Sequence, residues 1–328
     1  MSTVETTLDT TSLRAGRSGR RGDVVFRGLS LGAGVFVFVL LGAIAVFLVI
    51  KAIPALNADK SSFWTTQNWT ASSGDAMFGI AAILFGTVLT SLLALVMAVP
   101  VGLGVSLYIT EYAPQRISRL LGYLTDMLAA VPSVVYGLWA LLFLLHHMAG
   151  ISEFLVRYFG WIPLFSNPDG FPLVYSKSIF AASVILAVMT LPIIAAISRE
   201  VLRQVDPAQK EAALALGATR WEMVRTAVLP PSRPGIISAV MLGLGRALGE
   251  TIAVAFVIGN RTLISSHILL PGGATIASNI ANLFGEADEI GRSALIASGL
   301  VLFLLTLAVN LIARYIILRS GTEERSAV

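Results

Sequence analysis

Arg246 and Glu250 stand four residues apart in GRALGETIAV, a stretch flanked on both sides by apolar residues. On a continuous helix that spacing puts both side chains on one face, one turn apart. An arginine at the centre of a membrane helix costs roughly 2.5–3.5 kcal/mol by insertion scales, so such charges turn to a bundle interior or a water path. Two readings follow. The charges neutralise each other and pin helices together, or Arg246 presents its planar fork of donors to a passing oxyanion while Glu250 orients the guanidinium and offsets its charge. Gly245 and Gly249 form a GxxxG pair on an adjacent face, which predicts close approach of another helix.

These residues need elements to hold them, and composition says which. Of 328 residues, 56% are hydrophobic and 13% charged, and the mean hydropathy is +0.82. That imbalance predicts an all-α, polytopic membrane protein. Cysteine is absent and only three histidines occur, His146, His147 and His267, so no disulfide framework or metal centre is expected. Each of the four lysines lacks a preceding glycine, so no Walker A loop exists to cradle ATP. No catalytic residues are assigned, and nothing in the charge distribution points to nucleic acid.

Six segments reach the roughly 20 apolar residues that a span requires: about 28–50, 76–110, 127–145, 178–198, 234–258 and 293–313. Pro100, with Gly102 and Gly104, is expected to kink the long second span. Residues 1–25, polar and aperiodic, read as a disordered tail, 26–319 as the membrane domain and 320–328 as a second tail. No internal repeat or separate soluble domain is evident. With the N-terminus inside, sixteen Lys/Arg residues fall on the inner side and six outside, so both termini are expected in the cytoplasm. Trp64, Trp69 and Trp161 fall in outer loops, and His146 and His147 at the outer end of span three. Glu111 and Asp126 read as helix-end carboxylates.

The loop 199–233 is the most informative polar segment. Asp206 before Pro207 is a helix start, and AQKEAALALGA has high helix propensity and ends at Gly217, a C-cap. Thr219 and Glu222 make a capping box for a second short helix, and LPPSRP is expected to end it. Ala212, Ala213, Leu214, Ala215 and Leu216 on a loop helix suit docking into a groove on another protein.

This loop resembles the EAA signature of ABC importer permeases. Glu211, Ala212, Ala213, Gly217, Leu229 and Pro230 match it in register, while Ala227 replaces its isoleucine. With LTDMLAAVPSVVYGLW and GRALGETIAVAFVIGN, the pattern resembles the phosphate-specific importers and their PstC-type permeases. That resemblance implies a type I permease bundle in a bacterial inner membrane, moving phosphate inward. It implies four kinds of contact: a second, PstA-like permease chain, two ATP-binding subunits that use ATP and Mg and seat on the loop, an extracytoplasmic phosphate-binding protein, and the bilayer. It also implies that Arg246 and Glu250 are the charges of the translocation path. A permease for sulfate or molybdate, or an ion-coupled carrier, is the alternative.

Overall fold

In a computed structural model of the chain, the described residues are 17–70, 77–168, 170–173 and 177–325. Side chains are described from Gly22 to Ile317 within those ranges. The architecture is all-helical: twelve α-helices occur among the described residues. Six helical segments are long and apolar enough to cross a membrane. The described residues divide after Ile50 into two compact units.

The first unit is the leading part of α1 (Arg17–Ala58). Residues 17–25, expected in a disordered tail, are helical; the rest of that tail, 1–16, lies outside the described residues. In the second unit, the end of α1 packs Ala52 and Ala55 beside Phe78 and Ile83. A two-residue antiparallel pair follows, β1 (Trp69–Thr70) against β2 (Met77–Phe78), with Trp69 opposite Phe78.

Helix α2 (Ala81–Leu107) runs through Pro100 without ending. The regular turns give out eight residues later, in a π turn at Tyr108–Tyr112. Next come α3 (Gln115–Ala129), α4 (Ser133–Trp139), a π turn at Ala140–Leu144 and α5 (Leu145–Phe159). The third span therefore covers Ser133–Phe159, not 127–145. Pro132 starts a new helix after α3, and His146 and His147 fall inside the span.

Helix α6 (Ile179–Arg203) is the centre of the bundle. Two thirds (67%) of its most apolar window is buried, as expected of a helix apolar on all sides. Ala181, Ile185, Leu186, Met189 and Ile194 pack with Ala94 and Ala98 of α2. Where lipid is as apolar as leucine, close packing replaces the hydrophobic effect as the cohesive force. Glycines supply that closeness. A Cβ on Gly86 would collide with the Ala274 carbonyl, and one on Gly243 would stand 3.0 Å from Ile194. Buried Thr87, Thr90 and Ser91 return their hydroxyls to carbonyls of the preceding turn at 2.7–2.8 Å, which satisfies them without water.

After α7 (Pro207–Ala215) and α8 (Arg220–Met223) comes a π turn, Val224–Val228, and then α9 (Leu229–Gly249). The LPPSRP segment does not end the helix as expected. Pro230 and Pro231 occupy the first turn of α9, where their missing N–H groups are not needed. The widened turn just before them leaves room for rings that would clash in a regular α turn. The chain closes with α10 (Ile252–Val257), α11 (Ile276–Leu283) and α12 (Glu289–Arg325). Helix α11 was not expected; the region reads as loop. Its capping box, Thr275 with Ser278, is the local signal for it, and the Thr87 hydroxyl accepts from Ile276 N–H at 2.9 Å. Helix α12 continues to Arg325, so most of the expected tail 320–328 is helical.

Candidate functional site

Two places concentrate the residues singled out in the sequence: the α9–α10 junction and the α7–α8 loop. The junction breaks the expected geometry. Helix α9 stops at Gly249, and Glu250 adopts an extended backbone (φ −70°, ψ 124°) before α10 begins. Arg246 and Glu250 therefore do not share a continuous face. Among the described residues no ion pair or hydrogen bond joins them. Each charge is offset separately. Arg246 lies in the last turn of α9, where the exposed carbonyl ends of the helix favour a cation. The Glu250 carboxylate accepts the Ala253 N–H at 3.2 Å, capping α10. The fifth candidate span is Arg220–Gly249, not 234–258, so Arg246 and Glu250 stand where that span ends and the backbone leaves the helix. Charged helix ends of this kind are an arrangement that transporters use to line a substrate path.

The surroundings of Arg246 are open. Leu242, Gly245, Arg246 and Gly249 repeat at three- and four-residue spacing, which places them on one stripe of α9. Leu242, Arg246 and Gly249 are exposed, while Ala239, Gly243, Ala247 and Leu248 on the other side are buried. A Cβ added to Gly245 or Gly249 would meet nothing within 4 Å. The expected GxxxG contact is thus not made by this chain. The close approaches use Gly235, against Val201, and Gly243, against Ile194. The Tyr136 hydroxyl of α4 donates to the Leu128 carbonyl at 2.9 Å.

The loop, by contrast, is built as its sequence predicts. The Asp206 carboxylate accepts the Ala208 N–H at 2.9 Å, and Pro207 takes the first helical position. Helix α7 ends with Gly217 at φ +85°. Gly217 N–H bonds the Leu214 carbonyl at 3.0 Å, and Ala218 N–H bonds that of Ala213 at 3.2 Å, the two bonds of a Schellman cap. Thr219 and Glu222 complete the capping box of α8. Leu202, Val205, Met223, Val224 and Val228 form a small core that seats the loop against Leu107 and Leu229, with Ala213 turned toward it. Glu211, Ala212, Leu214, Leu216 and Trp221 face outward, and Leu216 is 90% exposed. Pro230 is half-buried in the following turn.

Two ion pairs, invisible in the local sequence, hold this end together. The Lys210 ammonium of α7 donates to the Glu111 carboxylate at 2.6 Å, and the Glu111 side chain is only 6% exposed. Glu111 is therefore the anchor of the loop on the π turn that ends α2, not a free helix terminus. Arg199 of α6 donates to both Asp126 oxygens, at 2.9 and 3.1 Å, and to the Thr125 hydroxyl at 3.0 Å. Asp126 thus ties α3 to α6. Asp126→Ala should destabilise the fold by about 1–2 kcal/mol. That is below the roughly 3–5 kcal/mol of a fully buried pair, because the Asp126 side chain is half exposed. Asp126→Asn, which keeps an acceptor, should cost less. Thermal unfolding of the purified protein checks the order.

A helical bundle with multiple candidate membrane spans and a two-helix polar loop between its fourth and fifth spans fits a transporter's membrane component. Residues 98–320 match the family described as the binding-protein-dependent transport system inner membrane component, and the chain belongs to that family. It is 43% identical over 302 residues to phosphate transport system permease protein PstC 2 of Mycobacterium tuberculosis, covering 92% of this chain and 93% of that protein. It is 41% identical over 318 residues to phosphate transport system permease protein PstC of Xylella fastidiosa, covering 96% and 97%. A chain of a bacterial ABC transporter involved in the import of the acidic polysaccharide alginate superposes with a TM-score of 0.56 at 17% identity, over 90% of this chain and 99% of that one. That likeness shows the ABC importer permease fold.

Proposed function

We propose that this chain is the permease subunit of an ATP-driven importer of inorganic phosphate. The observation that carries the proposal is the guanidinium of Arg246, without an acidic partner among the described residues and exposed beside two glycines near the end of its span. A second, PstA-like permease chain covers the exposed stripe of α9, and Gly245 and Gly249 admit its approach. Phosphate delivered by an extracytoplasmic binding protein meets Arg246 between the two chains. The guanidinium offers a fork of donors to the oxyanion. Glu250, held at the break by its cap to α10, limits how tightly the anion is retained and can accept from a protonated phosphate oxygen. Release requires that limit, because a conducting site must bind weakly enough to let its ion leave.

The outward apolar residues of α7 and α8 seat on one of two ATP-binding subunits. Glu211, Ala212, Ala213 and Gly217 shape the contact, and Leu229 and Pro230 join it to α9. ATP and Mg²⁺ belong to those subunits, and this chain performs no chemistry. The relatives' names support phosphate as the substrate, and the exposed Leu214, Leu216 and Trp221 support a docked partner.

Uptake of radiolabelled phosphate by cells dependent on this chain tests the reading. Phosphate uptake unaffected by excess sulfate or molybdate is expected, and uptake of sulfate instead would overturn it. Orientation is tested separately, using the absence of native cysteine. With both termini in the cytoplasm, Pro168→Cys should react with a membrane-impermeant maleimide in intact cells. Gln115→Cys, exposed at the start of α3 between the second and third spans, should react only after permeabilisation. The reverse pattern inverts the topology.

A further inference from the structure

At the end of the bundle that carries α7, a cavity of about 180 Å³ is lined by Arg119, Gly122, Tyr123, Asp126, Arg199 and Arg203. Three arginines line it together with one aspartate. Arg199, 8% exposed, forms its built wall. Gly122 makes room for that side chain, since a Cβ there would stand 2.9 Å from Arg199 Nη1. Asp126 is engaged by Arg199. Arg119 and Arg203, both exposed, have no acidic partner among the described residues. The buried Arg199 Nε has no hydrogen-bond partner among the described residues. Two positive charges therefore remain uncompensated around a space larger than the roughly 30 Å³ that one water occupies. Arginines grouped around one small space suit an oxyanion, which can bridge their fork-shaped donors and remove their mutual repulsion.

We propose that this pocket binds a phosphate group. The group has two sources, inorganic phosphate or the headgroup of an anionic phospholipid. Helix α3 supports the second, because Ile117, Leu120 and Leu124 beside the pocket are exposed and apolar, as on a helix lying in a membrane interface. Assigning the pocket to the cytoplasmic side rests on the orientation proposed above; binding itself does not.

The test uses the full chain in its purified transport complex. The double variant Arg119→Gln/Arg203→Gln removes the uncompensated charges and keeps Arg199, which braces α3 against α6. In one arm, equilibrium binding of radiolabelled inorganic phosphate is measured in an Arg246→Gln background, so that the path does not contribute. In the other, native mass spectrometry counts phosphatidylglycerol retained from membranes containing it. A drop of fivefold or more in either arm supports the pocket and names the source. Unchanged values in both arms, at equal amounts of complex, overturn it. Should the double variant assemble poorly, phenylglyoxal labelling of the unmutated complex decides. Slower modification of Arg119 and Arg203 with phosphate or phosphatidylglycerol present supports the pocket, and protection by neither overturns it. Wild-type complex that fails to import phosphate would sink the proposed function and leave the binding result standing.

Discussion

Arg246→Gln is expected to lower phosphate uptake per assembled complex by roughly 30- to 150-fold while leaving the amount of complex near normal. The size follows from losing charge-assisted hydrogen bonds to the anion, worth about 2–3 kcal/mol. The normal abundance follows from the structure. Arg246 is exposed, and among the described residues no carboxylate depends on it. Removing it strands no buried partner, whereas breaking a buried ion pair costs roughly 3–5 kcal/mol. Arg246→Lys should also be impaired, because a point charge does not reproduce the planar fork. Glu250 behaves differently. Glu250→Gln keeps an oxygen to accept from Ala253 and should assemble, yet transport should fall because the path loses the negative charge that limits how tightly the anion is retained. Glu250→Ala loses the cap as well, at about 1 kcal/mol. Measuring complex and uptake together separates the roles. If Arg246→Gln loses abundance only and transports normally per complex, Arg246 is a structural residue and the path runs elsewhere.

Gly217→Val is expected to cut ATP-driven transport at least tenfold with the chain still inserted. At φ +85° glycine is at ease, and a β-branched residue is a conformational outlier costing roughly 1–3 kcal/mol. Among the described residues no atom lies within 4 Å of a Cβ at this position, so the cost is conformational and not a clash. That predicts a graded series. Gly217→Asn should be nearly normal, since asparagine tolerates the left-handed region, Gly217→Ala intermediate and Gly217→Val worst. Copurification of the ATP-binding subunit and uptake should fall in the same order. If asparagine fails as badly as valine, a partner atom occupies the open space. If valine is harmless to both, this loop is not the coupling element.

Features set within four or five residues were legible before any coordinates. The loop helices follow from Asp206–Pro207, Gly217 and Thr219 with Glu222, because caps and turns are decided by neighbours along the chain. Long apolar stretches announced the spans for the same reason, although Pro132 moved the third and the π turn before Pro230 carried a helix through prolines that read as a stop.

Tertiary structure decided the rest. Lys210 meets Glu111 across 99 positions, and Arg199 meets Asp126 across 73, separations at which charge and spacing carry no pairing information. The break after Gly249 had only weak local markers, that glycine and the β-branched Thr251 that follows Glu250. It undid the Arg246–Glu250 pair that helical spacing implied. A one-turn rule holds only while the helix continues, and here the backbone leaves the helix at Glu250, whose carboxylate turns to the next helix. What remains is a bare arginine between two glycines, on a stripe that this chain leaves uncovered.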